Sequence, residues 1–119
     1  MLARLKQRPS IKDEVVLHHK MLSIKVHRSY REVVALCDSS LIGKKFEDGK
    51  KEIFVRENFF KDQEVTSQQA IIMLKDFAKE DSTFNIVGPE AVKAAIEAGI
   101  INDGEYITIQ GIPIALVLL

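Results

Sequence analysis

The residues best suited to chemistry in this 119-residue chain are three histidines, His18, His19 and His27, and the single cysteine, Cys37. Together they offer zinc-type donors, but a structural zinc site needs paired ligands a few residues apart on two segments, and that spacing is missing. Adjacent His18 and His19 point to opposite sides of an extended chain, so one ion does not take both. No metal and no cofactor are therefore expected. Cys37 as a nucleophile would need a neighbouring base and partial exposure; at the end of an apolar run it reads as a small buried thiol. Gly43-Lys44-Lys45 is not a phosphate loop, because no glycine stands five residues before Gly43 and no Ser or Thr follows the lysines. A better anion-binding geometry lies at Asn85–Gly88, where a glycine turn leads into a helix start with unpaired N–H groups. Pro89 removes one donor there and Glu90 adds a negative charge, so the turn reads first as structural. Asp76, Glu80 and Asp81 read as solvated charges, not as a catalytic pair, and no catalytic residue is assigned.

Charge carries more information than these motifs. The formal net charge is zero, yet residues 1–60 hold 13 Lys/Arg against 8 Asp/Glu, and residues 61–119 hold 4 against 9. A basic front half suggests an anionic partner such as nucleic acid, the plain alternative being an internal match of opposite charges. The cations placed on that face are Arg4, Lys6, Arg8, Lys12, Lys20, Lys25, Arg28, Arg31, Lys44 and Lys45, with His27 facing water beside them. Lys44 and Lys45 join it only if the Gly43 loop folds back beside the first hairpin.

These residues must be positioned by one small domain, since the length leaves no room for a second and 46% hydrophobic residues suffice for a modest core. Residues 1–20 read as a basic extension and 21–119 as the domain. Charge interrupts MLARLKQRPS before any apolar targeting segment forms, and no apolar run is long enough to span a bilayer. A lone cysteine fits a reducing cytoplasm.

Leu22, Ile24 and Val26 alternate with polar residues and predict a strand. Arg28 to Arg31 form the turn, and Glu32–Cys37 predicts a second strand hairpinned to the first. Residues 41–51 read as a loop around Gly43 and Gly49, and Glu52–Arg56 as a third strand, with Phe59 and Phe60 anchoring the next connection. Thr66 with Gln69 predicts a capping box opening a helix over about 66–80, whose core stripe is Ala70, Ile71, Leu74, Phe77 and Ala78. Phe84, Ile86 and Val87 predict a buried strand, Gly88 a sharp turn, and Pro89 the first position of a helix over about 89–98 that ends at a left-handed Gly99. Alternation over 106–110 and the apolar run Ile112–Leu119 close the chain, with Pro113 marking a break or an edge. The fold class is α+β, a small mixed and mainly antiparallel sheet with two main helices.

The strand Ser23–His27, the run Val34–Asp38, the loop Leu41–Phe46 with Gly49, Phe84–Gly88, the helix end Ala94–Ile100 and the close Ile109–Pro113 occur in an order that resembles the archaeal family called domain of unknown function 424. The resemblance covers about residues 21–119. It implies a small α+β protein without an established activity, an archaeal setting, and an expectation of translation or ribosome-associated work. Family members often carry a histidine where this chain has Ile114, so no role can rest on a histidine there.

The expected function is a non-enzymatic RNA-binding or ribosome-associated protein using the basic face, with contact to the backbone, because Tyr30 is the only aromatic inside the basic segment. One alternative is a small-molecule binder or enzyme with a pocket formed by Cys37, Asp38, Asn85 and Gly88, if those two loops converge. Another is a protein-interaction module that pairs through the last strand. The extension at 1–20 is expected to act as an arm, its removal flattening the salt dependence of RNA binding by about 2–3 in slope.

Overall fold

The computed structural model describes residues 21–118. Arg4, Lys6, Arg8, Lys12 and Lys20, and with them the expected arm, lie outside the described residues. Strand β1 (Leu22–His27) and strand β2 (Val33–Asp38) form the expected antiparallel hairpin, with Ser23 opposite Cys37 and His27 opposite Val33. A 3-10 turn, Ser39–Leu41, leads to a ribbon of β3 (Lys45–Asp48) and β4 (Lys51–Phe54), which form their own two-stranded sheet. A single helical turn, α1 (Glu57–Phe60), and a short strand, β5 (Gln63–Val65), precede α2 (Ser67–Ala78). Then come β6 (Thr83–Val87), α3 (Pro89–Glu97), β7 (Ile107–Ile109) and β8 (Ile112–Val117).

The main sheet has six strands in the order β5-β1-β2-β6-β8-β7, and only the central β2–β6 pair is parallel. The class is α+β with a mainly antiparallel sheet, as the hydrophobic pattern implies. Both faces of this sheet are covered. Leu22, Ile24, Val34, Leu36, Phe84 and Ile86 pack against the apolar stripes of α2 and α3, where Ala70, Leu74, Ala91, Val92 and Ala95 are buried. The alternate residues, Ala35, Cys37 and Val87, face Val55, Phe60 and Leu41 under the ribbon and α1. This alternation is the two-residue period of strands acting on residues that are apolar on both sides.

Three expectations change. The loop assigned to 41–51 contains β3, whose residues Lys45, Glu47 and Asp48 are exposed and only Phe46 turns inward. The terminal strand is not a free edge: β7 pairs with its first half, Ile112–Ile114, on one side and β6 with Ile114–Val117 on the other. Pro113 is tolerated because it stands beyond the last β6–β8 rung, Val87 opposite Ile114; its carbonyl accepts from Gly88 N at 2.9 Å, and no strand carbonyl waits there for an N–H. His27 does not simply face water. It is half-buried, stacked on Phe59 with ring centroids 4.4 Å apart, and its Nε2 lies 2.8 Å from the Phe59 carbonyl oxygen.

Candidate functional site

The expected pocket at Cys37, Asp38, Asn85 and Gly88 resolves into two separate places. At the carboxyl end of β2, Asp38 is buried and caps α3 from across the sheet: its Oδ1 accepts from Ala91 N at 2.8 Å and its Oδ2 from Glu90 N at 3.2 Å. The helix N-terminus that looked suited to an external anion already holds an internal one, so this end of the sheet is a structural joint. Gly88 is part of the same joint. Its φ of 116° lies where L side chains are strained, and a Cβ there would stand 2.4 Å from Asp38 Oδ1.

Cys37 is fully buried on the opposite face. Burial, reinforced by the neighbouring Asp38 carboxylate, pushes its thiol up to about 12. A thiolate is thus disfavoured at neutral pH, which fits a packing role. An aromatic disulfide reagent at pH 8 is expected to leave Cys37 unmodified in the native protein and to label it fully in denaturant. Rapid labelling of the folded protein would return Cys37 to the list of reactive groups. His27 and Cys37 stand at different points of the β1–β2 ladder, opposite Val33 and Ser23, and do not share a site.

Asn85 belongs elsewhere. On the face away from α2 and α3, one row of the sheet runs Lys25, Ala35, Asn85, Leu116 across four strands. Ala35 leaves space in that row, α1 covers β1 and β2, and the ribbon reaches β7, so a gap stays open between the two covering elements. The result is a cleft of about 410 Å³ lined by His27, Phe54, Arg56, Phe59, Asn85 and Leu116, with Asn58, Ile53 and Ile114 completing its walls. Cys37 and Asp38 do not line it. The Arg56 guanidinium lies 4.5 Å from the Phe54 ring centroid, a cation–π arrangement. Lys25 reaches the same side, donating from Nζ to the Asn58 carbonyl oxygen at 2.8 Å.

The predicted basic face is divided. Arg28 and Arg31 lie in the turn before β2, whereas Lys44 and Lys45 follow its far end and lead into a ribbon that contacts β7, where Glu47 N donates to Gln110 Oε1 at 3.2 Å. Five rises of about 3.3 Å separate the two ends of β2, roughly 17 Å. Arg28 is paired with Glu32, and Lys45 sits between Glu52 at 3.2 Å and Glu47 at 3.4 Å, which raise its pKa. Arg31 sits at the rim of a shallow polar depression with Tyr30, Glu32, Glu80 and Asp81. Of the residues assigned to RNA and to the pocket, His27 and Asn85 line the cleft, and Lys25 is tied to its wall residue Asn58. The cleft adds Arg56, Asn58, Phe54 and Phe59, for which the sequence held one signal: the stretch Phe54-Val-Arg-Glu-Asn-Phe-Phe60 concentrates three of the six phenylalanines around an arginine.

Fold and cleft define a small α+β domain with a concave, mainly apolar site rimmed by cations. The chain belongs to the family described as Protein of unknown function (DUF424), whose model matches residues 26–119. An uncharacterized conserved protein from Methanopyrus kandleri, seen in a crystal structure, has a similar fold: the TM-score is 0.74 at 20% identity, covering 82% of this chain and 92% of that one. No curated protein matches the chain. Among the described residues no helix is long and apolar enough to cross a membrane.

Proposed function

We propose that the protein is a non-enzymatic, cytoplasmic RNA-binding domain that contacts RNA, alone or in a ribonucleoprotein particle such as the ribosome, at the mouth of this cleft. The observation that carries the reading is the pairing state of its cations. Arg56 lines the cleft and Lys25 is tied to its wall residue Asn58, neither with a carboxylate partner among the described residues, while Arg28 and Lys45 are matched by their own glutamates and Lys44, also unmatched, lies at the other end of β2. A cation already neutralised inside the protein releases few counterions from a phosphate, so at the cleft it is Lys25 and Arg56 that supply the electrostatic attraction. For a pocket at Cys37 and Asp38, both side chains would have to be exposed; Cys37 is buried, and Asp38 is buried and bonded to Ala91 N.

Binding of a single-stranded RNA measured across a salt series tests this. Lys25→Gln with Arg56→Gln is expected to weaken binding and to lower the slope of log affinity against log salt by about 1.4, from two phosphates at roughly 0.7 each. Lys45→Gln, at the other end of β2, is expected to leave the slope unchanged. An unaltered slope in the double variant would remove the cleft mouth from RNA binding. Absence of RNA binding by the wild-type chain, or of co-sedimentation with ribosomal particles at low salt, would remove the reading itself.

A further inference from the structure

The cleft contains a half-buried polar side chain, Asn85, that makes no hydrogen bond with the described residues. It stands mid-strand in β6 between Ala35 and Leu116. An amide offers two donors and a carbonyl acceptor, and a ligand that fills the open cleft beside Phe54, Phe59 and Leu116 must replace the water on this one with partners of its own. A purely apolar ligand cannot supply them. The side chains around the amide form two stacked pairs, His27 on Phe59 and Arg56 over Phe54. Planar groups of this kind favour a planar aromatic ligand, and an asparagine amide matches a ligand edge that presents a donor beside an acceptor. Lys25 and Arg56 favour a negative charge attached to the same ligand. A planar ring with a donor–acceptor edge and a linked phosphate is a nucleotide.

We infer that the cleft is a nucleobase pocket: it takes one unpaired base, with the Asn85 amide bonded to its edge and the linked phosphate near Lys25 and Arg56. The cleft volume, about 410 Å³, lies in the range of sites that enclose small ligands. This inference deepens the RNA reading and rests on it for the polymer, but the same chemistry admits a free nucleotide. Base and phosphate are then held by different side chains, so their contributions separate.

Two sets of probes distinguish the sources: the four ribonucleoside monophosphates by calorimetry, and a hairpin RNA with one bulged base compared with its fully paired and abasic-bulge counterparts. Asn85→Leu removes the amide, and Asn85→Asp keeps the acceptor while removing the donor. Because the Asn85 side chain bonds none of the described residues, both variants are expected to melt close to wild type. The expected result is a preference of at least about tenfold for the bulged hairpin over the abasic one, abolished by Asn85→Leu and shifted to a different base by Asn85→Asp. Hairpins bound equally well whether or not the base is present, with no effect of either variant, would overturn the pocket and leave RNA binding standing. Saturable, Asn85-dependent binding of a monophosphate without RNA binding would uphold the pocket and overturn the polymer as its source. Binding of neither probe would overturn both.

Discussion

Replacing Gly88 with valine is expected to destabilise the protein by about 3–5 kcal/mol, combining a strained left-handed backbone with overpacking against a neighbour that has nowhere to go. The backbone at Gly88 has φ 116°, and a β-branched residue resists that conformation. The space is also taken: Asp38 Oδ1, Cγ and Cβ would lie 2.4, 2.6 and 3.0 Å from the new Cβ. Asp38 cannot swing aside without releasing Glu90 N and Ala91 N, so the substitution uncaps α3 as well. Thermal melting should show a fall of at least about 10 °C, given the entropy of unfolding of a domain this size. A melting temperature within about 2 °C of wild type would mean that the turn relaxes freely and that Gly88 is not the joint between β6 and α3.

Parts of this fold that depend on neighbours in sequence were legible from it. Thr66 and Gln69 form the reciprocal capping box, Gln69 N donating to Thr66 Oγ1 at 3.1 Å and Thr66 N to Gln69 Oε1 at 2.9 Å. Pro89 opens α3, and the helix closes at a left-handed Gly99 with Ile100 N donating to Ala95 O at 2.9 Å. Strand β3 was not legible, because three of its four residues are charged and a ribbon strand exposed on one side leaves almost no apolar period to read. Polar β5 escaped for the same reason, lying at the sheet edge with only Val65 buried.

The site was less legible than the fold. Charge counts placed Lys25 and Lys45 on one face, but pairing within the ribbon matches Lys45 with Glu47 and Glu52, whereas Lys25 finds a carbonyl on α1. Lys45 stands opposite Phe54 and reaches Glu47 two residues along its own strand and Glu52 diagonally across the ribbon, and the cross-ribbon contact depends on a register that composition does not hold. Asn85 was assigned to the turn that follows it. Strand alternation turns its side chain to the face opposite Phe84 and Ile86, toward His27 and Phe59. The contact that decides the character of the helix start, Asp38 to Ala91, spans 53 positions and has no local signature.

Asp38→Ala is expected to cost about 2–3 kcal/mol, the loss of a helix cap together with the exposure of two donors that no solvent reaches easily. The effect should depend on Gly88. With the carboxylate gone, the obstruction to a Cβ at position 88 disappears, so Gly88→Ala made in the Asp38→Ala background should retain only the backbone strain, about 1–3 kcal/mol. Strict additivity of the two substitutions would show that Asp38 and Gly88 do not contact each other in solution. Acid gives a second readout. Burial is the main influence on the Asp38 carboxyl and pushes it above its ordinary value of 3.8; the two N–H donors oppose that rise and Glu90 adds to it. The native protein therefore takes up this proton before the unfolded chain does. The stability linked to Asp38 titration is fully present below 3.8 and is lost as pH rises through the higher native value. Urea denaturation of wild type and Asp38→Asn, compared at about pH 3.5 and about pH 7, cancels the titration of the other carboxylates to first order. The stability of wild type relative to Asp38→Asn should be greater at the lower pH. A difference that instead shrinks in acid would mean that the two backbone N–H groups outweigh burial, and that Asp38 is held as a strongly ionised cap.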